Sequence, residues 1–329
     1  MRFITFLTTV VSIFALSLPV AMAGDSGLLR IGRFLEWPSP NLVGIAENAY
    51  ETEMGVEIEW KAYETSYDMN KAFSNGELDI AYGHELVPFM DAVSRGIDII
   101  ATGIAISYPE LDACVVGDHA NIDRENIAEL EGRKVYVQTG GTTHYRLTKM
   151  LDHLGVDILK MEVMAVGDGA AVTKSLYKGR GALGCAYGGA VRQMQEKGQL
   201  LMTGDEMDGI GLKFFDLVTM SGTFVEEQAE LGKQFLEITN RFNEAFKRDP
   251  VSMKKKITSA SGLSLMTTDL LMKLFSFPAN KQQASAEWLG TGGVVEHLMP
   301  DLAAFLGKSG KLETPMSDYS KFIDTGLLE

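Results

Sequence analysis

Residues 134–155 read KVYVQTGGTTHYRLTKMLDHLG, a stretch whose residue types suit the holding of an anion. Residues 134–137 predict a short strand, and Leu147, Met150, Leu151 and Leu154 recur at helical spacing, so a Gly-Gly-Thr-Thr turn starts a helix at a strand end. The first turn of a helix leaves backbone N–H groups unpaired and carries partial positive charge, and glycines admit a ligand close to that backbone. No capping box fills the position, because Thr142 and Thr143 are followed three residues on by Tyr145 and Arg146 rather than by Glu or Gln. Arg146 and Lys149 lie in the first two turns, where the macrodipole disfavours cations, and a bound anion would offset that mismatch. An ordinary Thr-capped helix under a flexible turn fits the same residues.

Other loops that follow predicted strands carry a matching set of groups. They supply Glu36 and Trp37, His84 and Glu85, Asp112, the run Gly141, Thr142, Thr143, His144 and Tyr145, then Tyr187 and Asp216. In open α/β sheets ligands bind beyond the carboxyl ends of strands, so these twelve residues are the candidate ligand-binding set. An anion seat, several carboxylates and aromatic walls suit a small zwitterion. Asp216 lies in the apolar run Phe214 to Leu217, and a carboxylate there is either paired within the protein or placed to meet a ligand ammonium.

Catalytic and metal chemistry find little support. The chain has no GxSxG elbow, no HExxH and no paired CxxC, and its five histidines (His84, His119, His144, His153 and His297) lack metal-ligand spacing. Gly167-Asp168-Gly169 resembles the start of a dinucleotide fingerprint, but Val172 occupies the third glycine position. No cofactor and no metal are expected. Cys114 and Cys185 sit in apolar runs and are read as two buried thiols, although an exported protein permits a disulfide.

Thirty basic against 44 acidic residues leave a formal charge of −14, which argues against nucleic acid or an anionic membrane as partner. Arg2, the apolar run over 3–18 and the small-residue site Ala21-Met22-Ala23 read as a cleaved secretory signal, residues 1–23, so a periplasmic location is expected. The apolar run falls short of the roughly 20 residues needed to span a bilayer.

Beyond the leader, strand and helix patterns alternate: strands over 28–34, 56–62, 78–82, 97–106 and 112–116, then a second alternating unit to about residue 197, a strand over 214–220 and a helical tail from Thr223, broken at Pro250, Pro278, Pro300 and Pro315. A single helix is expected over 41–54. The pattern predicts an α/β protein of two doubly wound lobes with a helical C-terminal tail, lobe one from 24–116 plus 217–329 and lobe two from 117–216.

The segments TGGTTHYRLTKMLDHLGVD, FFDLVTM, FSFPANKQQASAEWLG and LAAFLGKSGKLETPMSDYSKFIDT resemble the periplasmic substrate-binding proteins of taurine ABC importers, within the wider group that binds alkanesulfonates, nitrate and similar anions. The resemblance runs over nearly the whole mature chain. It implies a type II periplasmic binding protein fold, a monomeric carrier with no enzyme activity, and ABC permease and ATPase subunits as partners. It also implies a sulfonate at Thr142, Thr143, His144 and Tyr145 and an ammonium near Asp216. Glu64-Thr65-Ser66-Tyr67 replaces a small turn after the second strand, and Gly188-Gly189 replaces a Trp-Ala-Pro, so a relative of taurine is as well suited as taurine. The alternatives are a binder of another small organic anion, such as an alkanesulfonate or aromatic carboxylate, a sensor subunit, and a fold-related pyrimidine-precursor synthase.

Overall fold

The computed structural model describes residues 27–35 and 37–329; the expected leader, 1–23, and the candidate Glu36 lie outside the described residues. The first alternating unit runs β1 (Leu29–Phe34), α1 (Asn41–Ala46), α2 (Ala49–Met54), β2 (Ile58–Tyr63), α3 (Ser66–Ser74), β3 (Ile80–Glu85), α4 (Leu86–Ser94) and β4 (Ile99–Ser107). The second runs β5 (Asp112–Gly117), β6 (Lys134–Val137), α5 (Thr142–His153), β7 (Glu162–Ala165), α6 (Gly169–Tyr177), β8 (Leu183–Tyr187), α7 (Gly189–Gln195), β9 (Gly198–Leu200) and α8 (Gly204–Gly209). Strand β10 (Phe215–Ser221) then precedes helices α9 (Gly222–Arg248), α10 (Pro250–Ser261), α11 (Leu265–Met272), α12 (Asn280–Gln283) and α13 (Val294–Lys308).

These strands form two five-stranded mixed sheets, ordered β2-β1-β3-β10-β4 and β7-β6-β8-β5-β9. In each, three parallel strands are followed by one antiparallel strand, β10 or β5, inserted beside the third. The fold is thus α/β and two-lobed. Alternation along β5 shows why the second sheet is covered on both sides: Ala113 and Val115 pack with Val172, Leu176 and Met194, whereas Cys114 and Val116 join the larger core.

The structure moves several boundaries expected from sequence. Strand β5 belongs to the second sheet, so the first passage between sheets is at residues 107–112 rather than after 116, and β10 begins at Phe215, so the return passage ends before Asp216. Helix α13 packs on α5 of the second unit, through Tyr145 to Asp301 and Phe305 against His144 and Tyr145, instead of staying with the first. Periodicity could not show this, because an amphipathic helix records only that one face is buried. The expected single helix over 41–54 is two, broken where Asn48 takes a left-handed conformation with φ of 56°. The break turns Tyr50 into the core, where its hydroxyl meets Thr239 Oγ1 at 2.9 Å. Pro300 lies inside α13 without ending it, and β9 and α8, the latter closed by a Thr203–Glu206 capping box, were not anticipated.

The two cysteines are not free thiols. Antiparallel register sets Cys114 directly opposite Cys185 on β5 and β8, with Cα atoms 4.0 Å apart, and they form a disulfide. A separation of 71 residues carried no sign of that proximity. Closing so long a loop restricts the unfolded chain, by about 4 kcal/mol in the chain-entropy account. A Cys114→Ala/Cys185→Ala variant should lose about 2 to 5 kcal/mol in urea unfolding; a loss under about 1 kcal/mol would show that the paired strands need no covalent tie.

Candidate ligand-binding site

Between the two sheets lies a cavity of about 600 Å³, built from the carboxyl ends of parallel strands and the first residues of the two antiparallel ones. Phe34 ends β1, Glu85 ends β3 and Phe215 starts β10; Asp112 starts β5 and Tyr187 ends β8. Gln138 and Thr139 follow β6, Val166 and Gly167 follow β7, and Lys311 reaches in from the turn beyond α13. The placement is a topological one: the chain reverses direction within each sheet at this edge, which leaves a crevice.

One wall is the start of α5, where Gly141, Thr142 and Thr143 line the cavity. Gly141 is extended (φ −101°, ψ −170°) and no side chain caps the helix. The first helical bond is Tyr145 N–H to the Gly141 carbonyl, 3.0 Å, so the N–H groups of Thr142, Thr143 and His144 take no acceptor among the described residues. Gly140, at φ +82°, brings the turn against the segment after α13; a Cβ there would lie 3.1 Å from Ser309 Cβ and 3.8 Å from Lys311 Cε. The Lys311 side chain therefore lies beside the helix start, and both favour negative charge.

Carboxylates lie on the same cavity. Asp112 is buried, and its Oδ2 accepts the Thr143 hydroxyl at 3.0 Å. Burial pushes the Asp112 carboxyl up, opposed by the charge of Arg146 and by that hydrogen bond. The Thr143 hydroxyl is thereby committed to Asp112 and has no proton to give a ligand. Glu85, half-buried, lines the cavity from the end of β3.

The third feature is aromatic. Trp37 lies 5.5 Å from Phe34, 5.7 Å from Tyr108 and 5.1 Å edge-on to Phe275 between ring centroids. Gly83 permits the approach: at φ +88° it suits glycine, and a Cβ would lie 3.0 Å from that of Phe34. Asp216 sits behind this wall, fully buried, with one oxygen accepting from Trp37 Nε1 and the other from the Tyr108 hydroxyl at 2.7 Å. It has no basic partner within ion-pair distance among the described residues. Burial, reinforced by Glu85, pushes its carboxyl up to about 7, against the pull of the two hydrogen bonds.

Of the candidate residues, Trp37, Glu85, Asp112, Gly141, Thr142, Thr143 and Tyr187 come together on the cavity. Asp216 does not line it; it accepts hydrogen bonds from Trp37 and Tyr108, which do. His84 lies behind, stacked on Phe73 with Nδ1 2.9 Å from Thr219 Oγ1, and burial lowers it to about 3, so it stays neutral. His144 turns back to accept from Gly140 N–H at 3.1 Å, and Tyr145 points to the opposite side of α5, donating to Asp301 at 2.8 Å. Helical geometry separates them: residues two and three past Thr142 lie on other faces. Sequence reasoning passed over Tyr108, Gln138, Thr139 and Lys311. The first three follow predicted strands and were accessible to the same rule, whereas a lone lysine in a tail loop gave no signal.

The raised Asp216 carboxyl has a pH consequence. Its folded value lies above the unfolded value of about 3.9, so its contribution to stability is full below that value and is lost as pH rises through about 7. Asp216→Asn removes the ionisation while keeping an acceptor. In urea unfolding, the stability of the variant minus that of the parent should climb between about pH 4 and pH 7 and then level off. A constant difference across that range would show that Asp216 ionises without penalty.

Over residues 42–252, well over half of the chain, the sequence matches the model of the NMT1/THI5-like family. It is 24% identical over 299 residues to the taurine-binding periplasmic protein of Escherichia coli (strain K12), covering 88% of this chain and 89% of that protein. Among solved structures, the periplasmic aliphatic sulphonate binding protein SsuA from Escherichia coli superposes with a TM-score of 0.66 at 15% identity, over 92% of this chain and 98% of that one. The desulfurization enzyme DszB superposes with a TM-score of 0.58 at 13% identity, over 91% of this chain and 97% of that one. Both share the two-lobed arrangement of sheets described above, and with the family model spanning both sheets the chain belongs to the NMT1/THI5-like family.

Proposed function

We propose that this chain is an extracytoplasmic receptor that binds taurine or a closely related small sulfonate zwitterion and delivers it to an ABC importer. The observation that carries the reading is one cavity with N–H groups that take no acceptor among the described residues and Lys311 on one side, and the buried carboxylate Asp112 on the same lining. Burying a free charge costs several kcal/mol, so such a site favours a ligand that brings both signs over one that brings either. The 24% identity to a taurine-binding periplasmic protein supports the same class. In this reading the anionic group sits at Gly141 and Thr142 with Lys311, and the ligand leaves unchanged, handed to permease and ATPase subunits by a monomeric carrier. The leader over 1–23 then directs export to the periplasm.

The lobes of this receptor are the two sheets with their helices, joined at residues 107–112 and 213–214, with α13 on the second lobe. A ligand touching both would draw the cavity shut. A larger ligand, an alkanesulfonate or aromatic carboxylate, is the second reading, and the cavity volume together with Phe34, Trp37, Tyr108 and Phe215 favours it.

Calorimetry on the mature protein with taurine, ethanesulfonate, ethylamine and benzenesulfonate separates these. Taurine should bind tightest and be recovered unchanged, and the radius of gyration should fall at saturation. Equal affinities for taurine, ethanesulfonate and ethylamine would remove the zwitterion reading, and a preference for benzenesulfonate would install the second. Lys311→Ala should weaken every sulfonate about tenfold to a hundredfold, the range of one charge-assisted hydrogen bond, without lowering the melting temperature, because Lys311 is exposed. Unaltered sulfonate affinity would place the anion elsewhere.

A further inference from the structure

Arg146 is the largest side chain that is fully buried in the described structure, and no carboxylate of the described residues lies within ion-pair distance of it. It grips both segments that pass between the sheets. Its Nη2 donates to the Pro109 carbonyl at 2.6 Å in the first passage, and its guanidinium lies 4.2 Å from the Phe214 ring centroid in the second. Its Nε and Nη1 have no hydrogen-bond partner among the described residues. Two carboxylates near it, the buried Asp112 and the half-buried Asp208, are likewise half-satisfied. Among the described residues, Asp112 uses Oδ2 on Thr143 and leaves Oδ1 without a partner, and Asp208 uses Oδ2 on Lys213, 3.2 Å away, and leaves Oδ1 without one.

A buried guanidinium held by one carbonyl, the Met207 sulfur at 2.9 Å and one ring is expensive to keep charged, and at low dielectric its field reaches beyond contact distance. The charge that benefits on the cavity side is Asp112, which desolvation would otherwise drive toward the neutral acid. A neutral Asp112 attracts no ammonium. We infer that Arg146 is a positioning residue for ligand selection: its buried charge keeps the cavity carboxylate Asp112 ionised, and its hold on both passages ties that charge to the junction of the sheets, so that the site prefers ligands carrying a cationic group. The inference deepens the proposed zwitterion site and rests on it.

Asp112 interacts with Thr143 and Arg146 on α5 and with Tyr108 on the first passage; Arg146 also interacts with Asp208 on α8, Asp216 reaches the pair through the Tyr108 hydroxyl, and Glu85 and Lys311 share the cavity. None of these others changes in the variants below, so their titration cancels in the comparison.

The test pairs binding with a stability cycle. The preference for taurine over ethanesulfonate is followed from about pH 5 to pH 8 in the parent and the variant. Relative to the parent at the same pH, the preference of Arg146→Met should fall as pH is lowered and return on raising it, with ethanesulfonate affinity little changed. Arg146→Lys, which keeps the charge, should retain most of the preference. An Arg146→Met protein with the parental preference at every pH overturns the inference, as does an equal loss of both ligands with no pH dependence. In the ligand-free protein, Asp112→Asn and Arg146→Met should each lower the melting temperature and the double variant should lower it less than their sum, since removing both charges of a buried pair costs less than stranding one. Additive shifts overturn the coupling. If Arg146→Met alone does not fold, the double variant should; a double variant that also fails to fold overturns it. A parent that binds neither ligand removes the zwitterion reading alone, and the cycle still decides the role of Arg146.

Discussion

The physical constraint on which this structure turns is charge kept away from water. Asp112 and Asp216 are buried carboxylates and Arg146 is a buried guanidinium, set beside the start of α5, whose first N–H groups take no acceptor among the described residues. Isolated in a protein interior, any of these would be unfavourable by several kcal/mol. The three side chains persist because each is bound into a neighbouring element. Thr143 holds Asp112, Trp37 and Tyr108 hold Asp216, and Pro109 with Phe214 holds Arg146. Those neighbours are themselves cavity walls or passages between sheets. The polar network is thus continuous with the surfaces that would meet a ligand.

The sheets explain where the network sits. Inserting an antiparallel strand beside three parallel ones places the first residue of β5 and of β10 at the same edge as the last residues of β1, β3, β6, β7 and β8. Asp112 and Phe215 are those first residues. The passages that feed β5 and β10 run side by side between the lobes, so any residue touching both can register how the lobes are set. Arg146 does so from α5, the helix whose start lines the cavity.

Selection in such a site comes from the balance of fields. The helix start and Lys311 favour an anion, Asp112 and Glu85 favour a cation, and an aromatic wall anchored by Asp216 lines the same cavity. Members of the same fold serve different chemistry, since the neighbours include both a sulphonate-binding protein and the desulfurization enzyme DszB. The fold therefore supplies the crevice, and the side chains around it supply the chemistry.

The sequence by itself determined the alternation of strand and helix, the two α/β units and the strand-turn-helix at residues 134–155, because those patterns are local: period two, period 3.6 and glycine at turns. Placing candidates at strand ends brought seven of them to one cavity, for the same local reason. Tertiary structure alone decided the rest. It set β5 against β8, which turned two expected thiols into a disulfide, and folded α13 back onto α5, which delivered Lys311. It turned His144 and Tyr145 away from the face that Thr142 and Thr143 present. It also gave Asp216 two neutral donors and left Arg146 without a contacting counter-charge among the described residues. Pairings between residues 71 or 156 positions apart depend on how whole sheets and helices pack, and no local periodicity records that.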